Sequence, residues 1–476
     1  MASPSSRRRW AVAGSGDQEP VLRFSHNRER IRGGRFSSCG CLEPRADFPE
    51  RRIPVRYPDQ GAQVRGWLAA LWTILVAAIV SSLTLVPAPL SPSAHQASFL
   101  CILGCGNQGL RDLISNVLLF MPVGWVASYW VSPRRALAVC LLATITIEGL
   151  QGTLISGRDS SLRDILSNTA GGATGIWFHL RWVRLRWPGT TLALRLALGS
   201  AFVWLLMLWI TGIGVQPTPT ERPWFGQWTP DFENYAIYPG QVLDVRLNGE
   251  RPPTSLMPEP IAIRQAMREA RPWMVLRVVS GAEPRRTALM FGITDDREED
   301  QLFLGQDRIA LLLHLRNGLE SWGLRELIAR QPQFPGMTPG DTVTIEAGVA
   351  DRALVIRTRS GARQLNTELP LTVGLGWSAL MPFRYPVYDE WTLFNPLWLA
   401  GLILPVGYWF GRAAPRAGLG LTMLALVTGL ALVPLLADAA PTTHPEWAGG
   451  AAGAALGWAV GLWSRRQRPP AGPGAS

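Results

Sequence analysis

The stretch RDLISNVLLFMPVGW, residues 111–125, begins almost as RDILSNTAGGATGIW does at residues 163–177. Each stretch opens with an Arg-Asp pair, carries an asparagine about one helical turn further on, and continues into a long apolar run. Long apolar runs predict membrane-spanning helices. The two stretches therefore predict two neighbouring helices whose charged ends lie on the same side of a membrane.

The composition of the whole chain also indicates a membrane protein. Of 476 residues, 47% are hydrophobic and 17% are charged, against roughly 25% charged residues in soluble domains. All 46 basic residues are arginine, and the net charge is +11. The arginines lie mostly in the N-terminal tail and in short loops between apolar runs, which is typical of membrane topology rather than of nucleic-acid binding.

The apolar runs predict an α-helical polytopic membrane protein with about eight transmembrane helices, since about 20 apolar residues cross the hydrocarbon layer. A polar region, residues 215–392, separates a module of about five helices (residues 66–214) from about three further helices (residues 393–463). The predicted spans are residues 67–86, 113–131, 136–156, 162–180, 194–214, 393–411, 417–437 and 447–463.

Arginine placement predicts the orientation of these spans. Residues 1–65 are basic and lack a sustained apolar period, which predicts a disordered cytoplasmic tail. Alternating from this tail, the arginine-rich connections fall on the cytoplasmic side, although the opposite loop 157–164 also holds arginines. We therefore expect an inner-membrane protein with both termini in the cytoplasm, including residues 464–476, and with residues 215–392 outside it.

The outer region is expected to be a β-sandwich or jelly roll. It contains short runs of β-branched and apolar residues, such as 273–281 and 341–349, broken by Gly, Pro and Asp. Domains of this architecture bind sugars through loops and through polar or aromatic faces, although fold alone does not imply such binding. The candidate ligand-binding residues are Asp295, Asp296, Gln306, Asp307 and Trp377.

Seven polar residues are expected to converge near the outer leaflet of the first module. Asp112 and Asp164 should cap free backbone N–H groups at the positive ends of their helices. Asn116 and Asn168 lie one turn deeper, and Glu148 lies in the outer half of the helix between them. The full cluster is Asp112, Asn116, Glu148, Gln151, Arg158, Asp164 and Asn168.

The cluster has a structural and a functional interpretation. Each residue taken singly is explained as a helix cap or as a hydrogen bond between helices. Glu148 is harder to explain in this way, because a carboxylate within a span costs roughly 2.5–3.5 kcal/mol and indicates a functional site. Arg158 or Arg163 is its expected partner. The group as a whole favours a polar site open to the outside.

These residues also carry a family resemblance over residues 105–180. The order N-x3-F-x-P-x-G, IE-x2-Q, GR and D-x3-N-x2-G-x3-G resembles the VanZ-like family. That family is named for a protein linked to low-level teicoplanin resistance, so the resemblance implies a role at the bacterial cell envelope but no particular reaction. The matching positions are Asn116, Phe120, Pro122, Gly124, Glu148, Gln151, Gly157, Arg158, Asp164, Asn168, Gly171 and Gly175.

Two further similarities extend the interpretation. The polar region, with LFLGQD at residues 302–307, resembles the concanavalin A-like, laminin-G-type domain that accompanies some VanZ-like proteins. LPVGYW at 404–409 is similar to MPVGWV at 121–126, and residues 446–458 are similar to residues 167–177. Residues 393–463 are therefore a possible degenerate repeat of residues 113–180, although Gly/Ala-rich spans also resemble one another by composition alone.

Three functions follow from these patterns. The first is an envelope protein that contacts membrane lipids and whose outer β domain binds a glycan or another envelope component. The second is a membrane enzyme acting on a lipid-linked substrate, and the third is a lipid or glycolipid transporter. The sequence assigns no catalytic residue, metal site or cofactor, and the pairing of Cys101 with Cys105 stays open.

Overall fold

The computed structural model describes residues 62–85, 109–155, 160–186, 188–231, 235–257, 261–269, 271–332, 338–381 and 386–467. The expectations for the N-terminal tail as far as residue 61, for Cys101 and Cys105, and for Gly157 and Arg158 lie outside the described residues.

The described helices follow the apolar runs, with the polar region inserted after the fifth helix. Helices α9 (Gly418–Val427) and α10 (Val433–Leu436) are joined by a π-helical turn, Thr428–Leu432, into one continuous rod. The helices are α1 (Ala62–Thr84), α2 (Gly109–Trp130), α3 (Pro133–Thr153), α4 (Leu162–Arg186), α5 (Thr190–Gly214), α6 (Ile261–Arg268), α7 (Gly318–Ser321), α8 (Trp391–Ala413), α9 (Gly418–Val427), α10 (Val433–Leu436) and α11 (His444–Arg466).

Within the described residues, six helical segments are long and apolar enough to cross a membrane. They are α1, α2, α3, α5, α8 and the rod from α9 to α10. The long helices α4 and α11 fall short, because α4 has charged residues at both ends and α11 consists largely of Gly and Ala. A multi-pass membrane protein is therefore confirmed, and the spanning role of α4 and α11 stays a prediction.

Glycines bring α2 and α4 into backbone contact. A Cβ at Gly124 would overlap Gly172 O, and a Cβ at Gly171 or Gly175 would overlap the carbonyl oxygen of Val117 or Met121. Small residues at a helix interface permit this approach, which gains van der Waals contact where lipid supplies no hydrophobic drive. The close pairing brings the N-terminal turns of the two helices side by side.

The same device joins α8 to α11 in the second group of helices. A Cβ at Gly453 would overlap Ala400 O, and a Cβ at Gly457 would overlap Leu404 O. These contacts give Gly453 and Gly457 the roles that Gly171 and Gly175 have in α4. In this correspondence Glu446 stands at the position of Asp164.

The inserted β domain consists of two antiparallel sheets, with one short parallel pairing between β2 and β5. One sheet has the order β1-β5-β6-β7-β8 with β2 beside β5, and the other has the order β11-β10-β9-β4-β3. The strands are β1 (Trp224–Trp228), β2 (Ala236–Ile237), β3 (Gln241–Leu247), β4 (Trp273–Val279), β5 (Ala288–Asp295), β6 (Asp300–Asp307), β7 (Ala310–Leu315), β8 (Ile328–Pro332), β9 (Thr342–Ala350), β10 (Ala353–Ser360) and β11 (Arg363–Pro370).

Alternating side chains of the two sheets form the core of this domain. Met274, Leu276 and Val278 of β4 point into it, and their neighbours along the strand are more exposed. Strands β5 and β7 are buried on both faces, because a second small apolar cluster that includes Tyr235 and Phe303 covers part of their sheet. The domain is therefore a two-layer structure with one partly covered outer face.

A buried polar junction fixes the end of the β domain to α8 and α11. Glu446 is 0% exposed and accepts hydrogen bonds from Thr372 Oγ1, Asn395 Nδ2 (2.8 Å) and Thr443 N (2.7 Å). Asn395 Oδ1 in turn accepts from Trp377 Nε1 at 2.7 Å. Thr372 caps the 3-10 segment Val373–Leu380 at the base of the β domain, and Trp377 lies within it, so this network joins three elements from distant parts of the chain.

The long helices form two separate bundles. Helices α1 to α4 form the first bundle. In the second bundle, α5 packs with α8 and with the rod from α9 to α10, and α8 and α11 pack with each other and with this rod. Within the part of the chain that the structure describes, no helix of the first bundle packs extensively along a helix of the second. The 3-10 segment Val373–Leu380 contacts α2, α5 and α8, so the base of the β domain bridges the bundles.

The glycine contacts predict the cost of a single added methyl group. Gly175→Ala is expected to destabilise the protein by about 1–3 kcal/mol, because the new Cβ meets the backbone of α2 and not a movable side chain. Gly149→Ala in α3 is the matched control, since its Cβ would meet nothing within 4 Å. The measurement is the thermal unfolding midpoint in detergent, and equal midpoints for the two variants would contradict the packing described.

Candidate functional site

Five charged and polar side chains meet where α2 and α4 begin, and we call them the mouth cluster: Arg111, Asp112, Asn116, Arg163 and Asp164. Arg111 Nε donates to Asp112 Oδ1 at 3.0 Å, and Arg163 Nη2 lies 3.5 Å from Asp112 Oδ2. Arg163 Nε lies 3.6 Å from Asp164 Oδ1, which also accepts from Asn116 Nδ2 at 2.9 Å. The repeated Arg-Asp pairs therefore form one interhelical network.

Asp112 and Asp164 pair with arginine and asparagine side chains and do not act as helix caps. The hydroxyl of Ser161 accepts the backbone N–H of Asp164 at 3.2 Å and so caps the first turn of α4. The carboxylates of Asp112 and Asp164 accept instead from arginine and asparagine side chains. The expected capping role is thus replaced by ion pairing across the interface, which both N-terminal helix dipoles still favour.

Glu148 joins α3 to the start of α4. The side chain is 4% exposed, and Oε2 accepts the backbone N–H of Ser161 at 2.9 Å. A helix N-terminus stabilises a carboxylate through its free N–H groups and its positive dipole end. Glu148 thereby orients the α4 turn that carries Arg163 and Asp164.

Two more of the predicted residues form separate bonds between helices. Asn168 Nδ2 donates to Thr144 Oγ1 of α3 at 2.8 Å, and Gln151 Nε2 donates to Thr84 O of α1 at 2.9 Å. The structure therefore brings Asn116 and Asp164 into direct contact and links Asp112 to Asp164 through Arg163, whereas Gln151 and Asn168 bond to neighbouring helices. Arg158 lies outside the described residues.

The β domain contacts the mouth cluster directly, which the sequence did not predict. The backbone N–H of Arg111 donates to Gly323 O at 3.0 Å. The guanidinium groups of Arg111 and Arg325 converge on one acceptor, Met381 O, each at 3.4 Å. We call Gly323, Arg325 and Met381 the roof, because these residues of the β domain cover the N-terminal turn of α2.

The β-domain candidates do not form one site. Asp295 is 2% exposed and accepts from the backbone N–H groups of Arg297 and Glu299 at 3.0 Å, so it stabilises the turn between β5 and β6. Asp296 is beside it, whereas Gln306 and Asp307 stand at the other end of β6. A strand of this length separates the two pairs by about 20 Å or more.

Trp377 also differs from the expectation. The indole packs against Phe394 of α8 with ring centroids 5.0 Å apart, and its N–H donates to Asn395. Trp377 is only 9% exposed, because the contact with Phe394 that anchors the β domain on the helices covers its indole. From sequence alone, a tryptophan in a β domain is expected to stack against a sugar. The contact between Trp377 and α8 joins separate elements and leaves no local sequence signal.

A buried histidine–glutamate pair in the β domain was missed by the sequence analysis. His314 Nε2 lies 3.0 Å from Glu320 Oε1, which also accepts from Asn317 Nδ2 at 2.9 Å. Burial alone lowers the pKa of His314, but the Glu320 carboxylate, with Glu326 and Asp300 further away, raises the pKa above its ordinary value of 6.5. Among the described residues, no group of three or more His, Cys, Asp or Glu is placed to hold a metal ion.

Residues 69–184 match the model of the family VanZ/LLP1. The matched segment runs from α1 almost to the end of α4 and contains the mouth cluster together with Glu148, Gln151 and Asn168. No curated protein and no solved structure matches the chain. The VanZ-like resemblance is therefore confirmed for the first bundle, and the likeness of the β domain to concanavalin A stays a prediction.

The His314–Glu320 pair predicts how stability depends on pH. Because the folded-state pKa of His314 is raised, its stabilisation is complete below about pH 6.5 and is lost as the pH rises through the folded value. The raised pKa of buried Glu320 acts in the same direction, so the thermal midpoint of the wild type should fall more steeply above about pH 6.5 than that of the double variant His314→Gln, Glu320→Gln. His444→Gln, which changes an exposed histidine, should keep the wild-type slope, and parallel slopes for all three proteins would exclude this coupling.

Proposed function

We propose that this chain is a cell-envelope protein of a bacterial inner membrane, with about eight spans and an outward-facing β domain. In this proposal the mouth cluster is a polar site at the outer leaflet, and the β domain above it binds a glycan or another envelope component. The support comes from residues 69–184, which match VanZ/LLP1, and from the charged site that those residues build.

The main support for the proposal is the contact between the roof and the mouth cluster. Arg111 is bonded to Gly323 O through its backbone and approaches Met381 O with its side chain. A polar group at the end of a membrane helix that is covered by a folded domain is sheltered from bulk water, so its charges act on a bound ligand with less screening. A ligand at the mouth cluster would therefore touch the β domain as well.

The distribution of arginine supports the outward orientation. The first turn of α3 contains Arg134 and Arg135, and α11 ends with Arg465 and Arg466. These residues lie at the helix ends opposite the mouth cluster and the β domain. Arginine-rich short connections favour the cytoplasmic side, so both termini are assigned to the cytoplasm.

The packing below the mouth cluster argues against a transport pathway. Gly124, Gly171 and Gly175 hold α2 and α4 in backbone contact along the deeper half of their interface. A pathway requires polar groups through the depth of the membrane, whereas the interhelical ion pairs and polar bonds of α2 to α4 lie toward one end. A binding site is the simpler use of these residues.

The enzyme alternative rests on Glu148 and Asp164 as acid and base. Glu148 accepts the backbone N–H of Ser161 at 2.9 Å, and this bond gives the side chain a structural role in orienting the start of α4. Loss of turnover on a lipid-linked substrate in Glu148→Gln, with unchanged melting, would move the assignment to catalysis.

Binding by the full-length protein tests the proposal. Purified protein in nanodiscs is titrated with soluble peptidoglycan fragments, capsular polysaccharide and lipopolysaccharide core oligosaccharide. We expect saturable binding of one class, weakened about tenfold or more in Arg163→Gln, because a charge-assisted contact is lost. Arg134→Gln, an exposed arginine at the opposite end of the bundle, is the control. Binding of none of the three classes, or equal binding by Arg163→Gln, contradicts the proposal.

A further inference from the structure

We propose that the buried His314–Glu320 pair controls the contact between the roof and the mouth cluster through its protonation, so that the roof opens as the pH rises. The inference adds a regulation to the site of the proposed function and rests on that function for its use. The movement of the roof itself is measured without a ligand.

The pair lies between strand β7 and the short helix α7. His314 on β7 is 0% exposed, and the ring of Phe303 on β6 stacks against it with ring centroids 4.9 Å apart. Its Nε2 lies 3.0 Å from Oε1 of Glu320, the third residue of α7, whose side chain is 14% exposed. A proton gained or lost there changes a charge that water does not solvate, which is costly unless the partner compensates it.

The pair fixes the segment that follows β7, residues 317–322, which we call the latch. Asn317 Oδ1 accepts the backbone N–H of Leu319 at 3.0 Å and so caps α7. Asn317 Nδ2 donates at 2.9 Å to the same Glu320 oxygen that faces His314. The contact between His314 and Glu320 therefore ties the turn of α7 back to β7.

The latch, with Gly323 directly after it, contacts two membrane helices. A Cβ at Gly214, the last residue of α5, would overlap the side chains of Leu319 and Trp322. The backbone N–H of Arg111 in the first turn of α2 donates to Gly323 O at 3.0 Å. Because Gly323 follows the latch without a break, a shift of the latch moves the roof away from α2.

The surrounding charges set the direction of the response. Burial lowers the pKa of His314, but the Glu320 carboxylate opposite raises this pKa above its ordinary value of 6.5. Burial also raises the pKa of Glu320, while His314 and Arg316 act against this rise. The remaining titratable and charged groups around the pair are Glu326, Asp300 and, beyond Phe303, Tyr235.

The docked latch therefore holds a proton that an exposed pair would release. When the latch moves outward, both side chains reach water and their pKa values return toward the ordinary ones. Above about pH 6.5 the docked state binds more protons than the open state, so each pH unit favours opening by up to about tenfold until the raised value is passed. Below about pH 6.5 the pair stabilises the docked latch in full.

Hydrogen–deuterium exchange at the amide of Arg111 tests this inference. That N–H lies in the first turn of α2, where amides have no acceptor within the helix, and it donates to Gly323 O. In the full-length protein in nanodiscs, we expect its protection factor, corrected for the intrinsic pH dependence of exchange, to fall about tenfold or more between about pH 6 and pH 8. The amide of Ala440, which donates to Leu371 O at the base of the β domain, should keep its protection.

Variants separate the pair from other groups. The double variant His314→Gln, Glu320→Gln should lose most of this pH dependence, whereas His444→Gln should keep it. Constant protection at Arg111 in the wild type overturns the inference, and so does an undiminished pH dependence in the double variant. A parallel loss of protection at Ala440 also overturns it, because the whole domain then loosens.

Two further outcomes have a fixed meaning. Should the double variant melt early, Glu320→Gln alone replaces it, since the amide keeps the shape of the side chain without its charge, and an undiminished pH dependence there also overturns the inference. If the protection of Arg111 falls as expected but no envelope component binds, the regulation of the roof stands and the proposed function fails.

Discussion

The backbone contact between α2 and α4 is the constraint on which the first bundle depends. Lipid surrounds both helices, so association rests on close packing and on polar bonds rather than on burial of apolar surface. Gly124, Gly171 and Gly175 remove the side chains that would hold the helices apart. The resulting register places Asn116 within 2.9 Å of Asp164 and lets Arg163 reach Asp112. A small-residue interface thereby sets the geometry of a charged site one or two turns away.

The second bundle uses the same packing for a different purpose. Its glycines pair α8 with α11, and the corresponding acidic position holds Glu446, which bonds Asn395 and Thr372 instead of arginine. We propose that residues 393–463 are a degenerate repeat of residues 113–180, related in parallel, with the β domain inserted between them. In this interpretation one copy keeps a charged mouth, and the other has turned the equivalent position into an anchor for the β domain.

The sequence predicted the features that arise locally. The apolar runs located the helices, and the alternating runs between them predicted a β domain. Contacts between distant segments were out of reach, because no local pattern marks Gly323 and Met381 as partners of Arg111 or Trp377 as a partner of Asn395. Asp295 and Gln306 stay predicted ligand contacts, and each also bonds to its own turn, Asp295 to the N–H of Arg297 and Gln306 to Arg308 O.

We propose that the β domain lies over the mouth cluster and outside the cytoplasm. This proposal is tested most directly by a distance between spin labels at residues 110 and 322, in a variant with all 5 native cysteines replaced. Both positions are exposed, and their neighbours Arg111 and Gly323 share a 3.0 Å hydrogen bond, so we expect a distance of about 20 Å or less. In right-side-out vesicles, membrane-impermeant chromium oxalate added outside should broaden both signals. A wide distribution of long distances, or broadening only after the vesicles are opened, would contradict the account.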